Sequence, residues 1–172
     1  GGWKTRVRAM KMETSATGGD SHVWALDGRI CIGPRRVIPL CVAASIYPGF
    51  TNKLKHSRII SRGQLDENYQ PTKFFVATGY EATGLNEQEE AILSIVGEDP
   101  ISIQEISFSL KRDPSSEVLD SLMNKRLLQA IGFTPTDALH VLGLYEEWDT
   151  TSAERGAISL SRYVQKGKHE FC

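Results

Sequence analysis

The apolar residues of this chain change their period once. Up to about Gly84 they come in short runs, several of them alternating, and beyond it they recur every three or four positions. A period of two belongs to strands and one near 3.6 to helices, so a strand-bearing part must precede a helical part. The expected class is mixed α+β (α/β). In the first part, TRVRAMKME (Thr5–Glu13) alternates as a strand. HVWALDG and RICIGP flank Asp27-Gly28, a strong two-residue hairpin signal. RRVIPLCVAASIYP is expected as a short buried strand or a helix ending at Tyr47, Gly49 to Gln70 as loop with strand fragments, and KFFVATG (Lys73–Gly79) as a strand.

In the second part, Asn86 is a good N-cap for EQEEAILSIV, with Ile92, Ile95 and Val96 on one face and Gly97 as its stop. Ser102 with Glu105 matches a capping box, and Pro114-Ser115-Ser116 opens SEVLDSLMNKRLL, striped by Val118, Leu119, Leu122 and Met123. Three short helices and the strand-like LLQAIGF resemble a winged-helix unit. Two further helices follow, one behind Thr134-Pro135-Thr136 and one striped by Ser152, Ala153, Ala157, Leu160 and Val164. The expected organisation is 1–84 strand-rich, 85–133 a helical insert, and 134–172 helices returning to the first part.

At 172 residues, 40% hydrophobic and 24% charged, the chain has ordinary globular composition and room for one domain or two small ones. No apolar run approaches the ~20 residues of a membrane span, and GGWKTRVRAM has no signal-peptide core, so the expected compartment is the cytoplasm. Three cysteines, Cys31, Cys41 and Cys172, share no CxxC spacing, which argues against a disulfide framework or a cysteine zinc site. A cysteine nucleophile at Cys31 or Cys41 lacks a placed base. Charge is split: residues 1–63 hold 11 basic and 3 acidic groups (+8), residues 64–172 hold 9 and 18 (−9). Across 86–131 four bases face nine acids (−5), and Glu117 and Asp120 stand near the start of the would-be recognition helix. Phosphate repulsion there argues against nucleic acid and for a packing or partner-binding unit.

Chemistry has three candidate places. Thr17-Gly18-Gly19-Asp20-Ser21-His22 can bring bare backbone N–H groups to a ligand, with hydroxyls from Thr17 and Ser21 and a carboxylate from Asp20; its plainer alternative is a Gly-rich turn between strands. In Thr134–His140, Asp137 and His140 stand three apart on one helix, where both side chains can reach one ion; the alternative is a cap and a packed histidine. A joint site of Asp20, His22, Asp137 and His140 has the mixed O and N donors that suit zinc, manganese or iron. Arg35-Arg36 after Gly33-Pro34 can clamp a carboxylate or phosphate, or be one solvated and one salt-bridged arginine.

Three stretches, VRAMKMETSATGGDSHV, DGRICIGPRRVIPLCVAAS and GFTPTDALHVLG, resemble the hydantoinase/oxoprolinase family, specifically its hydantoinase A type subunit, in order and separation. The motifs are Thr17 to Ser21, Gly33-Pro34 and Thr134 to Ala138. The resemblance runs from Gly2 to about Cys172, with 50–130 matched by pattern more than by motif. It implies an actin-like ATPase (ribonuclease H-like) fold and ring opening of cyclic amides such as hydantoins or 5-oxoproline, with ATP and Mg2+ in several members and a second hydantoinase-type subunit as partner. It raises Thr17, Gly18, Gly19, Ser21 and Thr136 as ligand-binding or nucleotide-binding residues. The family's Asp-x-Gly-Gly-Thr phosphate loop is missing from these 172 residues. The chain is therefore expected to be a C-terminal piece that hydrolyses no ATP by itself. The rival expectation is a non-catalytic partner-binding or regulatory module.

Overall fold

The computed structural model describes residues 19–164. The expected strand at Thr5–Glu13, together with Thr17 and Gly18, lies outside them.

Strands β1 (Ser21–Leu26) and β2 (Arg29–Arg36) form the expected hairpin. Asp27 and Gly28 both take positive φ, 51° and 73°, the turn that matches the right-handed twist of the two strands. Pairing is regular from Leu26↔Arg29 to Val23↔Ile32, but Ser21 pairs with Arg36. Two extra residues therefore bulge from β2 around Gly33-Pro34, where a proline without an N–H does least harm. Gly33 lies under the Trp24 indole: a Cβ there would come within 2.8 Å of the ring.

The segment expected as strand or helix is both, β3 (Ile38–Pro39) and then α1 (Leu40–Ile46), which ends at Tyr47. The stretch expected as loop with strand fragments instead holds a helix, α2 (Phe50–Lys55), and a single 3₁₀ turn at Arg62–Gln64. Six residues are too few to show a period, and α2 is held by the burial of Phe50 and Leu54. After β4 (Phe74–Ala77) come α3 (Glu87–Ile95), β5 (Ile101–Ser102), α4 (Ile103–Leu110) and α5 (Ser116–Asn124). Asn86, Ser102 and Ser115 cap the three helices, each side chain accepting an N–H from the first turn. α5 stops short of the expected SEVLDSLMNKRLL: Arg126 turns to φ 62° and the chain enters β6 (Leu128–Gly132). Then follow α6 (Pro135–Val141) and α7 (Thr150–Val164).

The second sheet has the order β3-β6-β4-β5, with β3 parallel to β6 and the other pairs antiparallel. β4, from the first 84 residues, thus lies between two strands of the helical part. Phe74, Phe75, Ile131 and Phe133 are buried in the core, as are Ala153, Gly156, Ala157 and Leu160 of α7, where Gly156 lies against Leu40 and Phe133. Gly156 permits that approach, since a Cβ would lie 2.9 Å from Phe133. The Tyr163 hydroxyl donates to Ile60 O (2.7 Å) and accepts from Ile60 N (2.9 Å), fastening the 56–60 segment to the end of α7. Buried Glu89 of α3 pairs with Lys125 at the end of α5 at 2.6 Å. Among the described residues, no helix is long and apolar enough to cross a membrane.

Candidate functional site

Two stretches more than a hundred residues apart meet at the start of β1. The Gly19 carbonyl accepts from both the backbone N–H (3.0 Å) and the hydroxyl (2.6 Å) of Thr136. One step on, Val37 N donates to Asp20 O (2.9 Å), and Val23 N to Phe133 O (2.8 Å). The Gly19–Ser21 turn is thereby fixed between β3 and the start of α6. The Asp20 carboxylate sits 3.5 Å from the exposed Arg36 guanidinium, and Ser21 is buried.

Asp137 is an internal cap for two helices. On its own helix it completes a capping box: Thr134 Oγ1 accepts from Asp137 N (3.3 Å), and Asp137 Oδ2 accepts from Thr134 N and from Thr134 Oγ1, both at 3.0 Å. It also caps α1, accepting from Leu40 N (3.1 Å) at Oδ2 and from Cys41 N (2.9 Å) at Oδ1. The first residue before α1 is Pro39, which has no side-chain cap to offer, so the carboxylate arrives from 96 residues away. Burial raises the Asp137 carboxyl against the opposite pull of these donors. The Cys41 thiol beside it is fully buried and pushed up by burial and by the Asp137 carboxylate, which withholds the thiolate a nucleophile needs.

His140 is likewise engaged at both ring nitrogens. Thr136 O lies 2.8 Å from Nδ1 and Trp148 N donates to Nε2 at 3.1 Å, an arrangement that fixes the Nδ1–H tautomer. The ring stacks on Trp148 at 6.0 Å. Asp137 and His140 both reach the start of α1, where Cys41 N donates to Asp137 and Cys41 Sγ lies 3.9 Å from His140 Nδ1, while His140 Nε2 turns to the 145–148 loop. The four residues Asp20, His22, Asp137 and His140 therefore do not offer free donors to one point. Among the described residues, no three His, Cys, Asp or Glu side chains are grouped to hold a metal ion.

His22 belongs to a different cluster, most of which carries no local signature. Its ring is buried, stacked on Trp24 (5.2 Å) and lying over Gly132, where a Cβ would come within 2.7 Å of Cδ2. Lys73, just before β4, is fully buried, and its Nζ lies 3.4 Å from His22 Nδ1 and 3.3 Å from Glu67 O. The Glu67 carboxylate stands farther from Nδ1, at 3.9 Å, beyond a hydrogen bond. Lys73 is thus the donor, the ring is neutral, and its proton rests on Nε2, which has no partner among the described residues. Burial, seconded by Lys73, pushes His22 down to about 3, and burial brings Lys73 down to about 8. Glu67 is held below the usual carboxylate range; a close His22 N–H would be the strongest pull, but with that ring neutral at 3.9 Å the Lys73 and Arg35 cations supply it.

Arg35 extends the cluster to α5, with Nε 3.9 Å from Glu67 and Nη2 3.5 Å from Asp120. Asn68 joins Ser116 and Asp120, both at 3.2 Å. Of the two adjacent arginines, Arg35 is salt-bridged inside and Arg36 faces solvent. A buried lysine brought down to about 8 stands beside a neutral imidazole, that of His22, the residue after Ser21 in β1. Compared with protein-family models, curated proteins and solved structures, the chain has no significant match.

Proposed function

We propose that this chain is part of a hydantoinase/oxoprolinase-type subunit that opens cyclic amides such as hydantoin or 5-oxoproline. One observation carries the reading: the turn at Gly19–Asp20 and the Thr-Pro-Thr-Asp helix start, which belong to two of the stretches on which the resemblance rests, are joined through Gly19 O and Thr136. A small ligand would meet the turn's backbone, with His22, the next residue of β1, and Lys73 to hold or release a proton. ATP with Mg2+, where the reaction uses it, would be bound by upstream residues carrying the phosphate loop, and a second subunit would complete the site. In this reading the hairpin and α7 belong to an actin-like unit, and α3, α4 and α5 with the β5-β4-β6 sheet form a winged-helix-like unit built into it.

The test compares this chain with the same chain joined to its upstream sequence and mixed with a partner subunit, following ring opening of hydantoin and 5-oxoproline with and without Mg2+-ATP. Turnover is expected from the joined protein and none from the chain alone. Failure of the joined protein on both substrates, with and without ATP, overturns the reading.

A further inference from the structure

The cluster around Lys73 does not close on itself. Among the described residues, Lys73 Nζ has its polar neighbours at 3.4 Å (His22 Nδ1) and 3.3 Å (Glu67 O), both long for an ammonium. The Arg35 guanidinium stands 3.9 Å from Glu67 and 3.5 Å from Asp120, whereas Lys125 and Glu89 close to 2.6 Å. Asn68 is buried and gives its Nδ2 hydrogens to Ser116 and Asp120, yet its Oδ1 accepts from nothing among the described residues. A buried acceptor of this kind is expected to have a partner that the chain itself does not supply. Arg35, Glu67 and Asp120 give access from solvent, their side chains being 26%, 33% and 37% exposed.

The charges decide what fits. Lys73 and Arg35 are cations, and the carboxylates of Asp66, Glu67 and Asp120 are all near enough to act on Lys73. An anion would meet three carboxylates, and a cation would meet two positive groups. An uncharged group that accepts on one atom and donates on the next meets neither obstacle: its carbonyl takes a hydrogen from Arg35, and its N–H gives one to Glu67. Arg35 Nε and Glu67 Oε1 stand together at 3.9 Å, so the two functions must share one edge of the ligand. An open-chain amide is overwhelmingly trans, with C=O and N–H on opposite sides. A small ring forces them onto the same side.

We propose that Arg35 and Glu67, together with Asn68 and Lys73, form a binding site for the cis –CO–NH– edge of a small uncharged cyclic amide. The inference rests on the ring-opening reading for what becomes of the ring, and on the cluster alone for its binding.

Chemical shifts of the isotope-labelled 172-residue chain, followed as 2-pyrrolidinone is added, test it. The backbone amides of Arg35, Glu67 and Asn68 are expected to move together and to saturate with a dissociation constant of about 1 mM, within reach of so small a ligand. N-methyl-2-pyrrolidinone, which lacks the N–H, and N-methylacetamide, which is trans, are each expected to bind at least about tenfold more weakly to the same unaltered protein. Glu67→Met is expected to weaken 2-pyrrolidinone about tenfold. No saturable shift at these residues, or equal binding of either control ligand, overturns the proposal. Ring opening by the joined protein alongside that result would leave the ring-opening reading standing. Saturable, N–H-dependent binding without turnover would remove that reading and leave this site.

Discussion

Replacing Asp137 by alanine removes one carboxylate and unties two helices. Four hydrogen bonds end on it, from Leu40 N, Cys41 N, Thr134 N and Thr134 Oγ1. Three of the donors are backbone N–H groups at helix starts that burial denies to water. An orphaned buried donor costs about 1–3 kcal/mol and a lost cap about 0.5–2, two descriptions of partly the same loss. Relief of the buried carboxyl offsets some of it. The net expectation is a loss of about 4 kcal/mol, a large share of the 5–15 typical of a domain. Asp137→Asn keeps one acceptor oxygen and should lose about half as much. Urea unfolding followed by far-ultraviolet circular dichroism reads this as a midpoint lowered by about 2 M for alanine, at a slope of about 2 kcal/mol/M. The wild-type midpoint should be indifferent to EDTA, because a capping carboxylate needs no ion. A loss below about 1 kcal/mol for alanine, or a wild-type midpoint that falls on chelation, would refute the reasoning.

His22 stays neutral in the fold down to about pH 3, whereas in the unfolded chain it takes a proton near its ordinary value of 6.5. Stability is therefore expected to fall as the pH drops through that interval, by about 2 kcal/mol between pH 7 and pH 5, and His22→Gln should lack that slope; parallel curves for the two proteins would contradict it. Lys73, down to about 8 in the fold, is protonated in both states below pH 7 and adds no slope there. Gly132→Ala drives a methyl to 2.7 Å from the His22 ring, which Trp24 confines, and should lower the thermal midpoint by about 5 °C; a shift under about 1 °C would mean that the ring gives way.

What was legible in the residues was what local chemistry decides. Asp27-Gly28, Asn86, Ser102, Ser115 and Thr134 stand at the turn and caps expected of them, because a cap or tight turn is settled within four residues. α2 was hidden because it owes its existence to Phe50 and Leu54 being covered by distant parts of the chain. The Lys73–His22 pair was hidden for the same reason: its members are 51 residues apart, and nothing beside a lysine shows that it will be buried. Asp137 and His140 stand three apart, as two ligands of one ion could, yet Asp137 is taken up by the start of α1 and His140 Nε2 by Trp148 N, partners no spacing rule can supply.

The place of β4 bears on how the protein can be divided. Its ladder to β6 on one side and its short pairing to β5 on the other mean that 85–133 expressed alone would keep two strands with an empty slot between them. Severing the backbone in the loop between β4 and α3 should yield two halves that recognise each other by filling that slot, so this loop is the natural point at which to build a split version whose reassembly can be followed.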